Sequence, residues 1–260
     1  MPNYSQGSKD PTMTQAQDSW ALRDYLSDVL LYIKRTEAPY ARLYCPGIRW
    51  YPIPFFGDVL GARVLTVGVN PSATEFRNGY GRVELEASGL ERHLVDYFKW
   101  GHAHRWFDTW SEALNSVGVS YEGGSAAHLD LSPRATMSMR HFKDEQRATL
   151  FTTMLDGDVS HFFELLNHCH SARALLLAGC AGRLYMNRFL TRVGRHHGFR
   201  LEALSLDQYG EGRVGFYRLS GPAGLDIPTF FCSVSPSGRN SQLLVERVSA
   251  NRERILGWLR

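Results

Sequence analysis

The sequence lacks any apolar run of about 20 residues, the length that a membrane-spanning helix needs. Residues 1–20 also lack the basic start and apolar middle of a secretory signal peptide. These absences predict a cytoplasmic protein that does not contact a membrane. The chain has 260 residues, of which 43% are hydrophobic, so one domain can bury a sizeable core.

Cysteine is scarce, and none of the four cysteines forms a CxxC pair. The cysteines are Cys45, Cys169, Cys180 and Cys232. Their wide spacing indicates neither a disulfide framework nor a zinc site. Five histidines could suggest a metal site: His102, His104, His128, His196 and His197. None of them is spaced like a metal ligand alongside a carboxylate on the same helix or strand. We therefore expect reduced thiols, no metal and no cofactor.

Lysine is also scarce, since only four of the 29 basic residues are lysines. Arginine suits bidentate contacts with phosphate and stacking on bases. A GC-rich genome would produce the same bias. The formal net charge of +3 is compatible with a polyanionic partner but is too small to demonstrate one.

Short apolar segments alternate with amphipathic ones along most of the chain. The predicted strands are 64–69, 126–131, 172–178 and 228–234, with an edge hairpin over 199–219. The predicted helices are 19–33, 84–98, 105–117, 143–169 with a break at 156–158, 183–196 and 241–259. Residues 1–18 are polar and predict a flexible tail, so that 19–260 form a single domain. This alternation predicts an α/β sandwich around a mostly parallel sheet.

Three of the predicted strands end in polar or kinked sequence: GVNPSATEF, HLDLSPRAT and SVSPSGRN. Ligands of parallel sheets bind outside the carboxyl ends of the strands. Pro71 and Pro236 restrict the backbone where the first and last of these segments leave the sheet. Each segment alone is also typical of an ordinary turn or helix cap. Together at one edge of the sheet, they predict a binding site.

Two of these segments resemble the motifs of the uracil-DNA glycosylase superfamily. GVNPS resembles the first motif, which reads G-x-D-P in the uracil-specific branch and G-x-N-P in the mismatch-specific and single-strand-selective branches. SPSGRN resembles the second motif, which reads H-P-S or N-P-S, and the order and spacing also agree. The resemblance covers about residues 48–259. It implies a three-layer sandwich with a central, mostly parallel four-stranded sheet, and a monomeric, monofunctional enzyme that hydrolyses the N-glycosidic bond of a base flipped out of DNA.

The first motif carries the implied catalytic residue. Asn70 matches the residue that positions the attacking water, with Gly68 and Val69 beside the base. Because an amide orients water but is a poor proton acceptor, slow turnover is expected. Either Tyr80 or Phe76 stacks on the extruded base.

The second motif carries the implied DNA contacts. Arg239 matches the wedge that fills the gap left by the flipped nucleotide, and Ser237 and Gly238 hold phosphates. Ser235, or Val234 if the alignment shifts by one residue, stands where the uracil-specific branch has a histidine for the leaving base. A hydroxyl carries no positive charge, so activity on plain uracil is in doubt.

Asp130 is a second departure from the family, which commonly has asparagine at this position. A carboxylate offers only acceptors, so it suits the N4 amino group of cytosine and repels the O4 of uracil. If burial keeps Asp130 protonated, it could also donate to cytosine N3 in a bidentate match. His128 lies on the same face as Asp130 if no bulge intervenes between them.

Free excision of ordinary cytosine would destroy the host's own DNA. The resulting hypothesis is a modified cytosine, such as the glucosylated hydroxymethylcytosine of phage DNA, in a bacterial or phage-related host. The small residues Ser72, Ala73 and Thr74 could leave space for the modification. One alternative is a repair glycosylase for uracil or for oxidised or deaminated pyrimidines. Another is a non-catalytic DNA-binding module on the same fold.

Overall fold

The computed structural model describes residues 11–48, 50–73, 87–100, 104–137, 144–179, 194–207 and 212–260. In these ranges the chain is mixed α/β, with helices and a single sheet. The strands are β1 (Phe55–Phe56), β2 (Val64–Gly68), β3 (Ala126–Asp130), β4 (Ala174–Ala178), β5 (Arg200–Asp207), β6 (Val214–Ser220) and β7 (Asp226–Cys232). The α-helices are α1 (Pro11–Thr36), α2 (Ala87–Val95), α3 (Arg105–Ser116), α4 (Glu145–His168), α5 (Gly194–His196), α6 (Ser241–Ala250) and α7 (Arg252–Leu259). None of these helices is long and apolar enough to cross a bilayer.

The strand order is β1-β3-β2-β4-β7-β6-β5. The neighbours β3, β2, β4 and β7 are parallel, whereas β1, β6 and β5 each pair antiparallel with their neighbours. The sheet therefore has seven described strands rather than four. The difference arises because the hairpin of β5 and β6 joins the sheet through β7, and the two-residue β1 adds to the other edge.

The parallel strands are buried along nearly their whole length. Every residue of β3 and β4 is buried, and β2 is buried up to Gly68. Parallel strands covered on both faces have continuous apolar sequences, which explains why their positions can be predicted to within about two residues.

Two of the predicted helices differ from the observed ones. Helix α1 begins at Pro11, not after Asp18, since proline suits a first helical position and polar residues such as glutamine favour helices. The predicted single helix over 241–259 divides into α6 and α7 at Asn251. Of the predicted helix over 183–196, only Gly194–His196 lies within the described residues.

The predicted break at 156–158 is wrong, because α4 is continuous through it. Asp158 is fully buried, and its carboxylate accepts hydrogen bonds from Ser132 Oγ at 2.6 Å and from Arg134 Nε at 3.0 Å. A Cβ at Gly157 would lie 3.0 Å from the Tyr32 hydroxyl oxygen, so α1 approaches the helix closely here. Asp158 thus makes a buried tertiary contact within the helix, while Asp156 and Gly157 lie on its exposed side.

Candidate active site at the ends of two parallel strands

The first two of the polar strand ends lie side by side. Gly68 at the end of β2 is the register partner of Asp130 at the end of β3. Beyond the strands, the Ser132 amide donates to the Val69 carbonyl at 3.0 Å, and Ser72 forms a parallel bridge with Thr136. The first motif and the segment 130–136 are therefore adjacent, as predicted.

The amide nitrogen of Asn70 is held by three acceptors. Asn70 Nδ2 donates to the carbonyl oxygens of Pro71 and Arg134, each at 3.0 Å, and to Thr136 Oγ1 at 2.9 Å. Because a backbone carbonyl can only accept, the nitrogen and not the oxygen must face this cluster. No described donor engages Asn70 Oδ1, and the residue is only partly buried. This orientation presents a carbonyl oxygen that can accept a hydrogen bond from water.

Asp130 lies on the same face of β3 as His128, with no bulge between them. His128 Nε2 is 3.4 Å from Asp130 Oδ1, and each side chain is only 3% exposed. Asp130 Oδ2 is buried and has no hydrogen-bond partner among the described residues. Burial raises the pKa of the Asp130 carboxyl above its ordinary value, and the neighbouring His128 partly offsets that rise.

Aromatic rings lie on one side of this pair, and the backbone of Gly68, which has no side chain, lies on the other. The His128 ring packs against Trp106 at a centroid distance of 4.5 Å and against Phe107 at 5.2 Å. Across β2, a Cβ at Gly68 would lie 2.5 Å from Asp130 Oδ1 and 2.8 Å from His128 Nε2. Glycine at position 68 is therefore required for the two polar side chains to occupy this place.

The second motif forms a turn between β7 and α6. The Gly238 amide donates to the Ser235 carbonyl at 3.0 Å, and the two hydroxyls of Ser235 and Ser237 are 3.4 Å apart. Thr109 of α3 donates to the Pro236 carbonyl at 2.9 Å, which ties the turn to a second element. Arg239 is exposed on this turn. Since β7 is parallel to β2 and β3, the turn leaves the sheet at the same edge as their ends.

The sequence reasoning missed a buried ion pair behind the site. The Arg134 guanidinium is fully buried and pairs with Asp158, and it also donates to Tyr44 Oη at 3.0 Å and to Thr36 Oγ1. Burial lowers the pKa of Arg134, but the combined attraction and hydrogen bonds of Asp158 and Tyr44 outweigh burial and raise the pKa overall. An arginine inside a motif segment is a weak signal for such a pair, because its partner is 24 residues away in sequence.

Two expected residues, Tyr80 and Phe76, lie outside the described residues, as does Thr74. Within the described ranges, no group of three or more His, Cys, Asp or Glu side chains could hold a metal ion. The structure thus brings Asn70 close to the pair of His128 and Asp130 through neighbouring strands, whereas the turn of the second motif shares only the edge of the sheet, two strands away from β2. Neither a protein-family model nor a curated protein sequence matches this chain.

Proposed function

We propose that this protein is a DNA glycosylase that hydrolyses the N-glycosidic bond of a flipped, modified cytosine and leaves an abasic site. Glucosylated hydroxymethylcytosine of phage DNA is the substrate with which this proposal is tested. The observation that carries it is the anchored amide of Asn70, whose nitrogen is bound by three acceptors. Its Oδ1 is left to hold a water molecule at the edge of the sheet.

In the proposed reaction, the bond between C1′ of the sugar and the base nitrogen breaks first, and the electron pair leaves with the base. The sugar gains oxocarbenium character, and the water held by Asn70 forms the new bond to C1′. The attacking water loses one proton to solvent and becomes the hydroxyl on C1′, and the departed base anion takes up one proton from solvent. Because an amide only orients the water, catalysis depends on departure of the base, and turnover is slow.

Asp130 supports the choice of a cytosine-type base. Its Oδ2 is a buried acceptor without a described partner, so an exocyclic amino group of the base would satisfy it. The O4 of uracil would instead face the carboxylate oxygen and leave both groups unpaired. An unsatisfied buried polar group costs about 1–3 kcal/mol, enough for a preference of about tenfold to a hundredfold.

The fold supports the same proposal. Four strands, β3, β2, β4 and β7, are mutually parallel neighbours. We take them as the four-stranded centre of a glycosylase-like three-layer sandwich, with β1 and the hairpin of β5 and β6 added at its edges. DNA as the partner, a monomeric state and a cytoplasmic location belong to this proposal.

The test uses four DNA duplexes that differ at one position: cytosine, hydroxymethylcytosine, glucosylated hydroxymethylcytosine or uracil. Alkali-labile strand cleavage reports abasic sites. We expect cleavage at a modified cytosine by the wild-type protein and at least about a hundredfold slower cleavage by Asn70→Ala. Strong excision of uracil alone would overturn the choice of base.

The remaining outcomes concern catalysis itself. DNA binding without abasic product from any duplex would overturn the glycosylase and leave a binding module. Equal product from the wild type and Asn70→Ala would remove Asn70 from the mechanism. A repair glycosylase would be favoured if Asp130→Asn excised uracil at the full rate and if neither the wild type nor this variant excised a cytosine-type base.

A further inference from the structure

A buried line of polar groups runs from the interior of the protein to Asp130. Tyr121 Oη lies 2.6 Å from Thr66 Oγ1, which lies 2.8 Å from His128 Nδ1. On the other side of the imidazole ring, Nε2 lies 3.4 Å from Asp130 Oδ1. All four side chains are at most 3% exposed, so water does not provide alternative partners.

The direction of the donors along this line follows from the number of protons available. The buried Tyr121 hydroxyl has Thr66 Oγ1 as its only described acceptor, so it donates there. The Thr66 proton then has two acceptors, His128 Nδ1 at 2.8 Å and the Ala127 carbonyl at 3.4 Å. The shorter contact is the better hydrogen bond. His128 Nδ1 is therefore an acceptor, and the proton of the neutral ring is on Nε2, towards Asp130.

The opposite tautomer is unfavourable in this setting. With the proton on Nδ1, Thr66 would be left with the 3.4 Å contact to Ala127 as its only donation. The lone pair of Nε2 would then face the oxygen of Asp130. Repulsion between these two acceptors would remain unless the carboxyl were protonated on that oxygen.

We infer that Thr66, supported by Tyr121, is a positioning residue that holds His128 as the Nε2-protonated tautomer and thereby keeps Asp130 Oδ1 towards His128 and Oδ2 towards the base. This inference rests on the proposed function and narrows its substrate class. With Oδ1 facing His128 at 3.4 Å, Oδ2 is the carboxyl oxygen without a described partner, so it is the atom that meets the base. The substrate is a pyrimidine with an exocyclic amino group that donates to one carboxylate oxygen.

The experiment compares Thr66→Val, which keeps the shape but removes the hydroxyl, with Thr66→Ser, which retains it. The first readout is the protonation of the two ring nitrogens of His128, measured by NMR on protein with ¹⁵N-labelled histidine and assigned with His128→Gln. We expect a protonated Nε2 and an unprotonated Nδ1 in the wild type and in Thr66→Ser. In Thr66→Val, the two tautomers should mix.

The second readout is the ratio of single-turnover excision rates for hydroxymethylcytosine and hydroxymethyluracil, which differ only in the amino or oxo group at C4. This ratio should fall about tenfold in Thr66→Val and return towards the wild-type value in Thr66→Ser. A uniform loss of rate on both bases, with an unchanged ratio, would overturn the inference and indicate a purely structural role. A wild-type His128 with its proton on Nδ1 would also overturn it.

The two proposals fail in different ways. Absence of excision by the wild type on every duplex would contradict the proposed function, and with it the role in reading a base. Excision by the wild type with an unchanged ratio in Thr66→Val would contradict only the role of Thr66. Thermal unfolding of each variant verifies that the compared proteins are folded.

Discussion

The Asn70 side chain and the Arg134 backbone are joined by a hydrogen bond of 3.0 Å between Nδ2 and the carbonyl oxygen. The side chain of the same arginine extends into the core, where it pairs with Asp158 of α4. Arg134 therefore connects the candidate water-holding amide to a buried ion pair. The orientation of Asn70 depends on core contacts that are distant in sequence.

Removing the arginine from this ion pair should strongly destabilise the fold. Arg134→Met leaves the Asp158 carboxylate buried without its cationic partner, so the free energy of unfolding should fall by about 3–5 kcal/mol. Urea unfolding measures the change. The matched control is Arg218→Met, because Arg218 pairs with Asp226 on the exposed surface of the sheet and its loss should change stability little. Equal effects of both variants would contradict this account.

Asn70→Asp should lower excision, although a carboxylate is the better base. An oxygen in place of Nδ2 would face the carbonyl oxygens of Pro71 and Arg134 at 3.0 Å, and the repulsion would turn the side chain away or keep it protonated. We expect a rate at least about a hundredfold below that of the wild type at neutral pH, close to that of Asn70→Ala. A rate above wild type would show that the three acceptors do not determine the orientation.

A methyl group at position 68 should disrupt the pair of His128 and Asp130. In Gly68→Ala the new Cβ would lie 2.5 Å from Asp130 Oδ1, so the pair must shift, at a cost of about 1–3 kcal/mol in stability. Excision should fall with it. Gly89→Ala is the control, since Gly89 lies in α2 with no atom within 4 Å of an added Cβ, and this change should stabilise the helix by about 0.5–1 kcal/mol. Thermal unfolding and single-turnover excision distinguish the two.

The ionisation of Asp130 should make the wild type lose stability as pH rises. Its carboxyl has a pKa above the ordinary 3.8 in the folded protein, because burial disfavours the charge. At pH values between the pKa of Asp130 in the unfolded chain and its higher pKa in the folded protein, the folded protein binds more protons than the unfolded chain. The free energy of unfolding therefore falls as pH increases through this interval.

The measurement is the difference in unfolding free energy between the wild type and Asp130→Asn at several pH values from about 4 to 8. Other titrating groups are common to both proteins and largely cancel. The wild type should lose stability relative to the variant as pH rises. A difference that stays constant or grows in favour of the wild type would mean that the carboxyl is well stabilised as an anion.

The strands and the meeting of two polar segments could be predicted from the sequence for a physical reason. Buried parallel strands require continuous apolar runs, and parallel strands end at the same edge of their sheet. These two rules bring Asn70 and Asp130 to the same edge of the sheet, and the pairing of β2 with β3 makes their strand ends neighbours. The roles of these residues in excision remain predictions.

Other features could not be predicted, because their partners are far apart in the chain. The polar triplet at 156–158 has the composition of a turn, yet Asp158 is inside a helix because Arg134 and Ser132 bind it there. The edge hairpin predicted over 199–219 is observed as β5 and β6, but its pairing with the parallel strands through β7 could not be predicted. Composition and periodicity contain no information about such pairings.

By itself, the sequence determined the apolar strands, the polar residues at their ends and the substitution of aspartate at position 130. Only the tertiary structure decided how those side chains are oriented and which of their atoms are already engaged. Asn70 turns its nitrogen inward because three acceptors from two segments surround it, and Asp130 directs one oxygen to His128. Hydrogen bonding of buried groups is settled by packing in three dimensions, since each donor must find its acceptor wherever the fold brings one within reach.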